Sequence, residues 1–214
     1  MVAIFATNIF KKMSDTIENK VISTIKKSKR GRLFFTEDFL HIGNAKAISK
    51  ALQRLNDKNE IVRIARGIYT RPRIDTIIGE VRPGAEEIAK AIAKRDKARI
   101  IPTGVWALNA LGLSTQVPMN VVYLTDGAAR KIDLGKRKIT FKKTAPKNLA
   151  HVGEISGLMV QAIKEIGKGM VTEDEMRKII QLLKKEDPYK LKHDIRLAPE
   201  WIRIIMRKAL STND

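Results

Sequence analysis

The chain has 214 residues, 43% of them apolar, enough for one large or two small cores, and no cysteine, which excludes disulfides, thiolate metal sites and a cysteine nucleophile. Its 42 Lys and Arg against 23 Asp and Glu leave a net charge of +19, which draws polyanions to the surface and makes nucleic acid the leading class of partner. Three histidines (His41, His151 and His193) include no pair spaced for one helical face, which argues against a histidine-bound metal, and no stretch approaches the roughly 20 apolar residues that span a bilayer.

Residues 1–13 are expected to form a disordered leader, because Met1–Ala6 is too short for a signal core and no basic region precedes it. Asp15 and Glu18 have the spacing of a capping box, and Ile17, Val21, Ile22 and Ile25 recur at helical intervals, predicting a first helix that ends near Gly31. After the apolar run Leu33-Phe34-Phe35, Thr36 with Glu37 and Asp38 reads as the cap and charged first turn of a brief second helix, stopped by Gly43. Asn44 caps a third helix running to about Asn56, with Ala45, Ile48, Ala51, Leu52 and Leu55 on its apolar face. Two β-prone runs follow at once, Ile61–Ile64 and Ile68–Thr70, with Gly67 supplying the turn. Three helices and then a hairpin is the order of a winged helix-turn-helix domain, expected over residues 14–74.

Pro72 to Gly84 mixes proline, glycine and charge, and residues 75–84 are expected to be a linker to a larger domain over 85–214. That domain opens with a helix from Ala85 to about Arg95, then Ile100–Gly104, and an apolar helix through Trp106 and Leu108 to Gly112. Val121–Leu124 reads as a strand, and Lys131–Leu134 with Lys138–Phe141 as a hairpin. Thr172 caps a helix carrying Met176, Ile179, Ile180 and Leu183, and Pro199 opens a last helix with Trp201, Ile202, Ile205 and Met206. The fold class expected is α+β, an amino-terminal winged helix followed by an α+β domain with a helical end.

Function concentrates on the polar face of the third helix. Ser49, Gln53 and Arg54 have the donors and acceptors that read base edges in a major groove, while Lys46 and Lys50 suit phosphates. Arg54→Ala is expected to weaken specific binding by about 1 to 3 kcal/mol. Arg63 and Arg66 on the hairpin would hold the backbone or minor groove, and Lys29 and Arg30, within the basic run Lys26–Arg32, would clamp phosphate at a helix end whose dipole they also offset. Residues 1–74 hold 16 basic and 6 acidic residues, against 26 and 17 over 75–214, so the charge is denser at the front. Two alternatives compete: an RNA- or protein-binding module, and a Mg²⁺-dependent nuclease built on Asp126, Asp133 and Glu154. The nuclease fits poorly, because Thr140 stands where an acid two residues before Lys142 would be wanted and Asp126 is a turn residue before Gly127. No catalytic residue, metal or cofactor is expected. Trp106 and Trp201 are expected in the core, and His151 and His193 as surface or cap residues.

Four stretches carry a resemblance: Arg63–Tyr69 at the hairpin, Pro102–Asn109, Leu111–Pro118 and Val122–Gly127. In these the chain resembles the AbiEi-like antitoxins of bacterial type IV toxin–antitoxin systems, with Leu-Gly-Leu-Ser-Thr-Gln-Val-Pro at 111–118 the most specific segment. The resemblance implies a cytoplasmic antitoxin whose first domain represses its own operon by binding duplex DNA at its operator. It implies that the second domain counteracts a nucleotidyltransferase-like toxin without requiring a direct complex.

Overall fold

The structure, a computed structural model, describes residues 16–210; the leader expected at 1–13 and the cap expected at Asp15 lie outside the described residues. The fold is α+β, and the chain divides into two compact units after Ile88.

Unit one starts with helix α1 (Ile17–Lys27), whose N-cap is Thr16: its hydroxyl accepts a hydrogen bond from the Asn19 backbone N–H at 3.2 Å. The helix ends at Lys27, short of Gly31, where the Ser28 hydroxyl turns back onto the Thr24 carbonyl. Strand β1 (Leu33–Phe35) leads into a single 3₁₀ turn (Thr36–Phe39) in place of the brief helix expected there. Its start is held at Phe35, not Thr36, by the Phe35 N–H donating to the Asp38 carboxylate at 2.9 Å. Helix α2 (Ala45–Asp57) begins where Asn44 accepts from the Ala47 N–H at 2.9 Å, and it buries Ile48, Ala51, Leu52 and Leu55. Ile48, Leu52 and Leu55 pack with Val21, Ile25, Phe34 and Phe39 into one core. Strands β2 (Val62–Ala65) and β3 (Ile68–Thr70) form the hairpin, and β3 also pairs with β1, giving an antiparallel sheet in the order β1-β3-β2. Central β3 is buried along its length, and the Thr70 hydroxyl donates to the Arg32 carbonyl at 2.9 Å. Residues 75–84 do not run as a plain linker: β4 (Arg73–Asp75) and β5 (Gly79–Val81) pair as a small antiparallel hairpin.

Helix α3 (Ala85–Arg95) leads into unit two, whose sheet runs β6-β7-β9-β8, from β6 (Ile100–Pro102), β7 (Asn120–Thr125), β8 (Arg130–Asp133) and β9 (Lys138–Lys143). β8 and β9 form the expected hairpin, while β7 and β9 pair in parallel. Tyr123 and Phe141 stack across that parallel pair at 5.9 Å between ring centres, with Trp106 of α4 (Val105–Ala110) at 6.5 Å from Tyr123. Both tryptophans are half-buried against the core.

The helical end has four helices: α5 (Glu154–Ile166), α6 (Glu173–Leu183), α7 (Pro188–Leu197) and α8 (Glu200–Arg207). Thr172 caps α6 with a reciprocal box, its hydroxyl accepting from the Glu175 N–H while Glu175 accepts from the Thr172 N–H at 2.9 Å. The start of α5 is held by two carboxylates from other segments. Glu186 accepts from the N–H groups of Ile155 (2.8 Å) and Ser156 (3.1 Å). Asp194, fully buried, accepts from Val152 and Gly153 (2.9 Å each), from the Ser156 hydroxyl (2.5 Å), and from His193 Nδ1 (2.9 Å) when that nitrogen carries the proton. His193 therefore has a specific role at the surface. His151, by contrast, is half-buried with neither ring nitrogen hydrogen-bonded among the described residues, and burial holds its imidazole below the ordinary 6.5.

Candidate nucleic-acid interface

A helix with a 3.6-residue period and apolar residues at 48, 51, 52 and 55 must turn its remaining positions outward. In α2 these include Lys46, Ser49, Lys50, Gln53, Arg54 and Asp57, all six exposed, as is Ala45, which the sequence pattern puts on the apolar face. The β2–β3 hairpin is anchored beside this helix by one specific contact: the Arg63 N–H donates to the Asn56 side-chain carbonyl at 2.8 Å. Gly67 makes the hairpin turn with φ +72°, a left-handed conformation that costs a side-chain-bearing residue roughly 1–2 kcal/mol. A register irregularity between Arg63 and Ala65 twists the outer strand, and the Arg63 guanidinium folds back to donate to the Ala65 carbonyl at 3.4 Å.

Helix and hairpin enclose a concave groove of about 380 Å³, with Ser49 and Gln53 on the helix wall, Arg63 and Arg66 on the hairpin wall, and buried Tyr69 at its floor. Four of the residues expected at the interface thus share one concavity. The side chains of Lys46, Ser49, Lys50, Gln53 and Arg66 have no hydrogen-bond or ion-pair partner among the described residues. Among the described residues no carboxylate neutralises the cations of this set.

The other expected residues are placed differently. Arg54 stands about 140° round the helix from Ser49. It lies on the flank facing α1, where Glu18 is 3.7 Å from its guanidinium and is shared with Lys58. Lys50 lies on that flank too, lining a second concavity with Arg54 and Thr16. Lys29 and Arg30 are both exposed, but Arg30 donates to the Pro72 carbonyl at 3.1 Å and so ties the end of α1 to the exit of β3. Other cations of this basic run are also engaged: Lys26 pairs with Glu60 at 2.9 Å, and Arg32 lies over the Phe34 ring at 5.3 Å.

Two further residues of α2 line the groove, one hidden in the sequence and one legible there. Asn56 supplies the strut to the hairpin, which becomes visible only when Arg63 is brought beside it. Asp57 lines the groove as an acid, and its position was legible, since it follows Gln53 by four residues on the same helical face.

Of the three carboxylates weighed for a metal site in unit two, Asp126 and Asp133 are engaged elsewhere, while Glu154 stands exposed at the first turn of α5. Asp126 accepts from the Arg99 N–H and guanidinium at 2.8 Å each, and these bonds hold its carboxyl below the usual range. Asp133 accepts from the Gly135 N–H at 2.8 Å in the β8–β9 turn. Among the described residues no three His, Asp or Glu side chains are grouped to hold a metal ion, and no helix is long and apolar enough to cross a membrane.

Fold and groove together define an α+β chain of two units, the first carrying an open cationic face between a capped helix and a β-hairpin. The chain belongs to the Family of unknown function (DUF6088), whose model matches residues 20–191 and so takes in the whole groove. No curated protein and no solved structure matches the chain.

Proposed function

We propose that the chain is a sequence-specific duplex-DNA-binding regulator, not an enzyme, in which unit one is a winged helix-turn-helix domain. In this reading α2 is the recognition helix and the β2–β3 hairpin is the wing. One observation carries it: Ser49 and Gln53 face Arg63 and Arg66 across a single groove, with no carboxylate paired to any of the four among the described residues. A side chain that both donates and accepts suits a base edge, and an arginine at a glycine turn suits the backbone or minor groove. The resemblance to AbiEi-like antitoxins extends the proposal to a cytoplasmic autoregulator of a toxin–antitoxin operon, its toxin partner a nucleotidyltransferase-like protein.

The placement of Arg54 beside Glu18 refines the assignment of roles: Ser49 and Gln53 read bases, and Lys46, Lys50, Arg66 and Arg54 hold backbone. The test is a gel-shift titration of the full chain on the duplex upstream of its own gene against a scrambled duplex, at two salt concentrations. Preference for the upstream duplex is expected to survive the higher salt. Gln53→Ala should cut that preference by about 1–3 kcal/mol, whereas Arg54→Ala should weaken both duplexes alike and leave the preference intact. Equal binding to both duplexes, erased together by salt, would overturn the assignment.

A further inference from the structure

The charge of unit two is unevenly distributed. Residues 130–147 hold eight of the 25 basic residues of 89–214 but one of its 13 acids, so this short stretch supplies +7 of the unit's +12. It is the β8–β9 hairpin with its turn and the segment that follows. Along β9, Ile139 and Phe141 are buried, which turns Lys138, Thr140 and Lys142 to the opposite face. The register sets Lys131 of β8 directly across from Thr140 and Asp133 across from Lys138, so Lys131 joins the same face. Lys131, Lys138 and Lys142 are exposed, as are Lys136 and Arg137 at the turn.

Several arginines of the unit, Arg130 of β8 among them, meet acids. Arg99 pairs with Asp126, Arg95 and Arg130 with Asp96, and Arg203 and Arg207 with Glu200. Lys131, Lys138 and Lys142 have no such partner among the described residues; Asp133, across from Lys138, accepts from the Gly135 N–H through one of its oxygens. Three exposed lysines gathered on one sheet face make a local positive field that attracts a polyanion. Lys138 and Lys142 lie about 13 Å apart along the strand, the axial rise of roughly four base pairs of duplex. Lysines with no arginine or aromatic neighbour registered on the face, and one amide, Asn120 across from Lys138, suit phosphate better than stacked bases.

We propose that this face of the second unit is a further phosphate-backbone contact for duplex DNA, adding affinity without sequence preference. The proposal rests on the reading of unit one as a DNA-binding domain, which its test separates from it. Full-length wild type and the triple variant Lys131→Gln, Lys138→Gln, Lys142→Gln are titrated by fluorescence anisotropy against the upstream and the scrambled duplex over a salt series, after circular dichroism shows both folded. Each lysine on a phosphate contributes about 0.9 to the slope of log affinity against log salt, so the variant's slope is expected to be lower by about 2.7 on both duplexes. Its ratio of upstream to scrambled affinity should match that of wild type. A slope unchanged on both duplexes overturns this contact, as does a loss confined to a competing structured RNA. A wild type that does not distinguish the two duplexes counts against α2 as a recognition helix, while the slope difference still decides the role of the lysines.

Discussion

Asp194 shows how much one side chain can hold together. Burial, the largest single influence on its carboxyl, raises its proton affinity, yet the hydrogen bonds from His193, Ser156, Val152 and Gly153 together outweigh it and hold the group below the ordinary 3.8. A carboxyl whose folded value lies below its unfolded one contributes stability that is present above the unfolded value and lost as pH falls through the folded one. His151 acts in the same direction at higher pH. Its folded imidazole is the weaker base, so the unfolded chain takes up the proton first and stability declines as pH drops below about 6.5. Asp194→Asn replaces an acceptor with a group that must also donate, facing two N–H donors, and should cost about 2–4 kcal/mol. Both tryptophans lie in unit two, so urea unfolding followed by tryptophan fluorescence at neutral and acid pH reads this loss. The variant's stability should fall less steeply than that of wild type below about pH 4; an unchanged midpoint at neutral pH would contradict the network.

Among the elements, the β2–β3 hairpin depends on its neighbour for position. Two-stranded hairpins are marginal in water by themselves. This one is stabilised by pairing β3 with β1 and by the single bond from Arg63 to Asn56. Asn56→Ala should destabilise unit one by about 1 kcal/mol. The larger consequence is positional, since Arg63 and Arg66 would no longer be held opposite Gln53. Affinity for the upstream duplex, measured by anisotropy, should drop severalfold with helix content unchanged, and unaltered affinity would mean that seating the hairpin has no bearing on binding. Helix α5 makes the complementary point about legibility. Met159, Val160, Ala162 and Ile163 are buried along with Ser156, Gly157 and Gln161, so no polar stripe marks a period, and the sequence pattern that betrays α1, α2 and α6 is missing. Helix α7 was hidden for a different reason: its start signal, Asp187 followed by Pro188, resembles a loop until the Asp187 carboxylate is seen accepting from Tyr189 and Lys190.

At the scale of the whole molecule, two separate clusters of buried side chains lie on either side of the division after Ile88, one around Leu52 and Phe39, the other around Met159 and Ile202. Leu52 is fully buried. Leu52→Ala is therefore expected to cost about 2–5 kcal/mol in the first core alone. DNA binding should then be lost at temperatures where the tryptophan signal of unit two is still native. Simultaneous loss of both signals would show that the two cores unfold as one.

How much of this was readable in advance depends on distance along the chain. Composition and charge are properties of the sequence by itself, and so is every feature set within a few residues: the Asn44 and Thr172 caps, the amphipathic period of α2, the glycine turn at Gly67 and the β8–β9 hairpin. Such features need only neighbours three or four positions away, and local propensity and periodicity decide them. The exposed face of α2 was legible for the same reason. Tertiary structure alone decided which of its residues share a groove. Ser49 and Gln53 meet Arg63 and Arg66 because β3 pairs with both β1 and β2, while Arg54 meets Glu18 because α1 packs on the other flank. The parallel pairing of β7 with β9 and the burial of Asp194 against the start of α5 belong to the same class. Each joins segments ten or more residues apart, and the free energy that selects one pairing over another comes from burying the whole core, which no local pattern records.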